Sequence, residues 1–181
     1  MRNAIISVYE KTRLDYLGEV LSRLDFNIYA TTGTLGYLRD KKIRAFPVEE
    51  IAGNPAGFED FITSLGFNTL IGALADEKPD FGNATIEKID VVVYNFVRTW
   101  EVIKTLDDFN IGNVDLGGPT MIRAAAINYK HTLPIVSPSQ YDALVDFPHI
   151  TLEKRLELAR TAFEYCSWYD NELSKLLMFR K

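Results

Sequence analysis

Four short segments of the chain gather side chains and glycines of the kind that bind anions or move protons. Ser7-Val8-Tyr9-Glu10-Lys11-Thr12 places a hydroxyl and an ammonium just before a helical pattern. Thr31-Thr32-Gly33-Thr34 offers three hydroxyls and a glycine at a helix start, where free backbone N–H groups and the helix dipole favour an anion. The plainer alternative is that Thr31 or Thr32 merely caps that helix. Asn95 ends an apolar run, a place for a turn residue as well as for a ligand contact. Asp115-Leu116-Gly117-Gly118-Pro119-Thr120 sets paired glycines, which let backbone approach a ligand closely, beside a carboxylate able to accept a proton or anchor a polar group. Arg123 follows, facing either solvent or a phosphate. Cys166, among Phe163, Tyr165 and Trp168, reads as a small core residue. His131 and His149 lie in loops without metal-ligand spacing and read as solvated polar residues.

These segments need strands and helices to position them. Ala4–Val8 reads as a buried strand, and Leu14, Leu17, Val20, Leu21 and Leu24 follow at helical spacing. Phe26–Ala30 is a second strand, then comes a helix with Leu35 and Leu38, then a short strand near Ala45–Val48. The middle reads as a loop over Ala52–Gly57, a short helix over Phe58–Leu65 and a strand over Thr69–Leu74. Ile89–Tyr94 is the clearest strand, followed by a helix over Thr99–Leu106. Met121–Ile127 is helical, Leu133–Val136 is a strand, and the pattern is helical from Ser139. There Thr151 reads as an N-cap for a helix reaching about Tyr169. Strand–helix alternation at this pitch predicts a mostly parallel sheet with helices on both faces, ligands binding beyond the carboxyl ends of its strands.

Composition limits the class. The chain has 181 residues, 47% apolar and 25% charged, which excludes wholesale disorder. One cysteine excludes an internal disulfide and a Cys-rich zinc site. A net charge of −5 argues against nucleic acid as a partner. No apolar run approaches the ~20 residues of a membrane span, so no membrane role is expected and the chain reads as cytoplasmic.

Taken together, the loops resemble the IMP cyclohydrolase domain of the bifunctional AICAR transformylase/IMP cyclohydrolase family. Ile5-Ile6-Ser7-Val8-Tyr9-Glu10-Lys11-Thr12 resembles its I-S-V-S-D-K-T, and Ala30-Thr31-Thr32-Gly33-Thr34 its (A/S)-(S/T)-G-G-T. Val114-Asp115-Leu116-Gly117-Gly118-Pro119-Thr120-Met121-Ile122-Arg123-Ala124-Ala125-Ala126 resembles I-D-I-G-G-P-S-M-L-R-A-A-A. Thr161 to Asp170 resembles A-F-x-x-T-(A/S)-x-Y-D.

The resemblance implies a methylglyoxal-synthase-like α/β fold: one cyclohydrolase-like domain over 1–181, with an α/β core to 138, a helical segment over 139–181 and no transformylase domain. It implies a homodimer that closes the purine ring of formyl-AICAR to give IMP and water, with no metal and no organic cofactor. By position, Ser7, Lys11, Thr32, Gly33 and Thr34 would hold phosphate and ribose. Asn95, Asp115, Leu116 and Gly117 would surround the base, with Asn68 and Gly118 beside them and Asp115, Asn95 and Thr69 carrying the chemistry. In that reaction the carboxamide nitrogen loses a proton while the formyl oxygen needs a donor or positive charge. Two departures stand out. No Arg or Lys occurs from Ala45 to Glu77, so with Asn68-Thr69-Leu70 set against the K-T-L of the family's R-V-K-T-L the threonine survives and both cations are gone. The lysine expected to polarise the formyl group, with Asp115 as its partner, is Ile127. The alternatives are a cyclohydrolase-like enzyme acting on a related nucleotide and a non-catalytic purine-nucleotide-binding protein.

Overall fold

The computed structural model describes residues 1–53, 64–77, 80–81, 84–96 and 114–178. Its elements are β1 (Arg2–Val8), α1 (Leu14–Arg23), β2 (Phe26–Ala30), α2 (Thr32–Asp40), β3 (Phe46–Pro47), α3 (Glu49–Ala52), α4 (Phe67–Leu74), β4 (Asp80–Phe81), β5 (Ala84–Thr85), β6 (Val91–Asn95), α5 (Gly117–Ile127) and β7 (Leu133–Ile135). A 3-10 helix (Pro138–Asp146) and the long α6 (Leu152–Leu176) complete the chain.

Five strands form one sheet in the order β3-β2-β1-β6-β7, every pairing parallel. This is the α/β architecture the alternation predicts. β1 and β6 are apolar on both faces, as a doubly covered strand must be. On one face Leu14, Leu17, Leu21, Leu38 and Tyr141 pack against Ala4, Ile6 and Val93. On the other, Met121, Ile122, Ala125, Ala162 and Tyr169 pack against Ile5, Val92 and Tyr94. β1 leads leftward to β2 through one helical layer, and β6 leads to β7 through the other. The strand order therefore reverses between β1 and β6, and a crevice opens there beyond their carboxyl ends.

One element differs in kind from the sequence reading. Thr69–Leu74, expected as a strand, belongs to α4. Its buried residues are Thr69, Gly72 and Ala73, an i, i+3, i+4 stripe that a short apolar run cannot reveal by hydropathy alone. The segment from Ser139 is a 3-10 helix before α6 begins, with the Ser137 hydroxyl accepting the Ser139 N–H at 3.3 Å. Thr151 caps α6 as expected, accepting the Lys154 N–H at 3.2 Å, and the helix runs one to two turns past Tyr169. The expected helices over Thr99–Leu106 and Phe58–Leu65 lie outside the described residues, except Ser64 and Leu65, which are not helical.

Two glycines separate close packing from chain entropy. A Cβ at Gly72 would stand 2.3 Å from the Glu87 carbonyl oxygen, whereas one at Gly36, on the solvent side of α2, meets nothing within 4 Å. Gly72→Ala is expected to destabilise the fold by about 1–3 kcal/mol. Gly36→Ala is expected to stabilise it by about 0.5–1 kcal/mol. Urea unfolding of the two variants checks the opposite signs.

Candidate active site

The crevice is organised by the end of β6. The pairing of β1 with β6 ends at Val8 and Asn95, and Asn95 then carries it onward with its side chain. The Asn95 carbonyl accepts the Tyr9 N–H at 3.2 Å. Its side-chain oxygen accepts the Glu10 N–H at 2.8 Å, and its side-chain nitrogen donates to the Glu10 carbonyl at 3.0 Å. The amide thus imitates one more residue of the ladder and fixes the loop that carries Lys11. Asn95 is 9% exposed, so these bonds are made away from competing water.

On one side of this clamp lies the hydroxyl cluster. Thr34, 1% exposed, accepts the Val8 N–H at 3.1 Å. Thr31 stands at the N-cap of α2 yet makes no capping bond with its side chain; its hydroxyl donates to Ser7 Oγ at 2.9 Å. Thr32 and Gly33 open α2 at the surface, with nothing near the glycine. The Lys11 ammonium folds back to donate to the carbonyls of Val8 and Tyr9, and partial burial lowers its pKa from the ordinary 10.5. Ser7, Lys11, Thr31, Thr34 and the start of α2 therefore meet at two adjacent strand ends, with donors suited to an anion.

On the other side lies the Asp115 loop. Asp115 Oδ1 accepts the Gly118 N–H at 2.8 Å and so caps α5. A Cβ at Gly118 would come within 2.9 Å of both Asp115 Oδ2 and the Phe96 ring, so only glycine lets the loop close on the end of β6. Gly117 faces Ser64 and Leu65 just before α4, and Leu116 is 55% exposed. Beneath, the Tyr94 phenol is held protonated by burial and by the nearby Asp115 charge.

The sequence-derived site residues divide accordingly. Ser7, Lys11, Thr32, Gly33, Thr34, Asn95, Asp115, Leu116, Gly117 and Gly118 stand at the same end of the sheet. Thr69 and Asn68 stand there too, with structural tasks. Thr69 is fully buried; its hydroxyl accepts the Gly66 N–H at 2.9 Å and lies 2.8 Å from the Ser64 carbonyl, which caps α4. The Asn68 amide lies against Gly53, where a Cβ would stand 2.3 Å from its side-chain nitrogen and where a φ of +70 favours glycine as well. Ile127 does not join them. It ends α5, 66% exposed and about 15 Å along the axis from Gly117 at ~1.5 Å per residue, out of reach of Asp115 in the same chain. Arg123 faces neither alternative alone: it pairs with Asp170 on α6. Cys166 is buried, its thiol pushed up to about 11 by desolvation, as befits a core residue. His131 and His149 are surface residues, His131 lying 3.5 Å from Asp76.

Sequence reasoning missed the aromatic wall. Phe96 stacks on Tyr165 at 4.6 Å and meets Tyr169 edge-on at 5.0 Å, and Tyr165 stacks on Trp168 at 5.5 Å. With Glu10, Asn95 and Ser137, the rings of Phe96, Tyr165 and Trp168 bound a cavity of about 400 Å³ beside β6 and β7. The Tyr165–Tyr169 spacing of four on one helix was the available signal. Among the described residues, no three His, Cys, Asp or Glu side chains are grouped to hold a metal, and no helix is long and apolar enough to cross a membrane.

Comparison with known proteins fits this geometry. No protein-family model matches the chain. The chain is 36% identical to the bifunctional purine biosynthesis protein PurH of Aquifex aeolicus, over 95% of its own length and 36% of that protein's. It is 34% identical to PurH of Caldicellulosiruptor bescii, over 94% of the chain and 36% of that protein. It thus spans about a third of these relatives, their N-terminal domain. A crystal structure of ForH superposes with a TM-score of 0.83 at 27% identity, covering 98% of this chain and 97% of that one. The motif resemblance is borne out over nearly the whole chain.

Because the Asn95 amide replaces a rung of the ladder, Asn95→Ala leaves the Glu10 N–H and carbonyl without these partners. We expect a loss of about 1–3 kcal/mol in urea unfolding, with faster amide exchange at Tyr9 and Glu10.

Proposed function

We propose that this PurH-like domain, related to purine biosynthesis, binds a purine-pathway nucleotide by its 5′-phosphate and closes the ring of formyl-AICAR to give IMP and water. The observation that carries the reading is the clamp at Asn95. It ties the hydroxyl–ammonium cluster at β1 and α2 to the strand end against which the Asp115 loop closes, so one nucleotide can span both. In this reading Ser7, Thr32, Thr34 and Lys11 hold phosphate and ribose, and the amides around Leu116 and Gly117 face the base. The carboxamide nitrogen attacks the formyl carbon and gives up one proton by way of Asp115, the formamide nitrogen gives up its own, and the formyl oxygen takes both and leaves as water while the ring C=N bond forms. The bound substrate already holds nucleophile and electrophile in one molecule, which supplies much of the rate. We extend the reading to a cytoplasmic homodimer that uses neither metal nor organic cofactor.

One observation favours a second reading. The stretch from Ala45 to Glu77 has no cation, and Ile127 is remote from Asp115. A site short of positive charge would suit a related nucleotide with a less demanding ring closure, or binding without turnover. Incubation with formyl-AICAR separates the readings. IMP formation supports the first, while tight IMP binding without turnover moves the second ahead.

Lys11 provides two further tests. Lys11→Ala is expected to weaken a nucleoside monophosphate by roughly 1.5–3 kcal/mol, the worth of a charge-assisted hydrogen bond, and to leave the nucleoside unchanged. Burial lowers the Lys11 pKa, and a bound phosphate raises it again because the charged form gains a partner. Phosphate affinity is therefore full below the depressed pKa and falls as pH rises through it. Titration calorimetry across alkaline pH should show that fall for IMP and not for inosine, with proton uptake on binding.

A further inference from the structure

We infer that Tyr165 and Tyr169 are positioning residues. Their hydroxyls, one turn apart on α6, set the separation between the Asn95 end of β6 and the Asp115 loop. The Phe96 N–H, next to Asn95, donates to Tyr165 Oη at 3.2 Å. The Asp115 N–H donates to Tyr169 Oη at 2.9 Å. Between them the Phe96 ring is held by both tyrosine rings and touches the space left by Gly118. Both anchor points are on α6, which is their common reference. Side chains four apart project from one helix face, so the two anchor points keep a fixed spacing. Tyr169 is almost fully buried and Cys166 and Ala162 lock the same face against α5, which leaves the hydroxyls little freedom. The helix that follows the sheet thereby becomes part of the crevice.

The inference deepens the reading that Asn95 and Asp115 flank the base, and its test separates the two. Tyr169→Phe keeps the ring and removes the acceptor at Asp115; Tyr165→Phe does the same at Phe96. Amide exchange by NMR reads the geometry without any ligand. We expect Tyr169→Phe to speed exchange at Asp115 by about tenfold, the worth of one such bond, with Phe96 unchanged, and Tyr165→Phe to give the reverse. Calorimetry with IMP and with ribose 5-phosphate reads the consequence. IMP affinity should fall several-fold in each variant while ribose 5-phosphate stays within twofold, a split that a general loss of stability does not produce. Should wild type bind neither ligand, the nucleotide reading fails, and the amide pattern alone decides the positioning. Unchanged exchange at both amides, uniform loss of protection along α5 and α6, or equal weakening of both ligands overturns the inference. If Tyr169→Phe does not fold, the half-buried Tyr165→Phe, judged by the same readouts, upholds or overturns it.

Discussion

The parallel pairing of β1 with β6 is the interaction on which the rest depends. It joins the two halves of a doubly wound sheet, and it is where the chain reverses its direction of travel across that sheet. Strand exits on either side of such a junction diverge to opposite faces, so a crevice is unavoidable. What is not automatic is that the crevice keep its shape, because both exits are loops. Asn95 solves this by adding a side-chain rung to the ladder. A neutral amide can do this because it carries a donor and an acceptor in the geometry of a peptide group. Aspartate would lack the donor to the Glu10 carbonyl, and serine would lack the reach.

The electrostatics follow from the same topology. α2 starts at the carboxyl end of β2. α4 and α5 start together, since Gly117 adjoins Ser64 and Leu65 while the Asn128 side chain at the far end donates to the carbonyls of Ala73 and Ala75. Three helix N-termini, each equivalent to roughly half a positive charge, thus converge on the crevice. In the proposed reaction that field offsets part of what the missing family cations would supply. It falls off within a turn, however, and cannot follow a charge that moves during ring closure. Fixed dipoles favour binding an anion more readily than they replace a mobile ammonium at a developing oxyanion.

The sheet was legible in the sequence because its strands are short apolar runs bounded by turn residues, and Ile89–Tyr94 was clearest for want of helical phase. The loop residues were legible in position because Ser7, Lys11 and Thr34 stand at or just beyond strand exits, while Asp115 and Gly118 stand at the start of α5. The α4 segment was not, because Phe-Asn-Thr-Leu-Ile-Gly-Ala-Leu is apolar enough for either structure. Its decision rests on long-range packing, the fit of Gly72 against Glu87. The burial of Thr69 and the packing of Asn68 against Gly53 were not legible, because motif register carries identity but not solvent access. The distance of Ile127 from Asp115 was not legible for a related reason: spacing along a helix gives distance only once the helix is known to run unbroken from Gly117.

Thr69, Asn95 and Asp115 share a property that bears on how this site is to be understood. Each is polar, each stands at the crevice, and each makes hydrogen bonds to backbone that hold a helix start or a strand exit. For Thr69 that task uses a fully buried hydroxyl, which leaves no surface for substrate. Asp115 differs because it is a carboxylate with two oxygens, of which Oδ1 accepts the Gly118 N–H at the start of α5. In the proposed reaction the same bond would serve chemistry, because a carboxylate locked by a backbone donor is held in a fixed direction. Asp115 would thereby tie the start of α5 to the orientation of the group proposed to accept the proton.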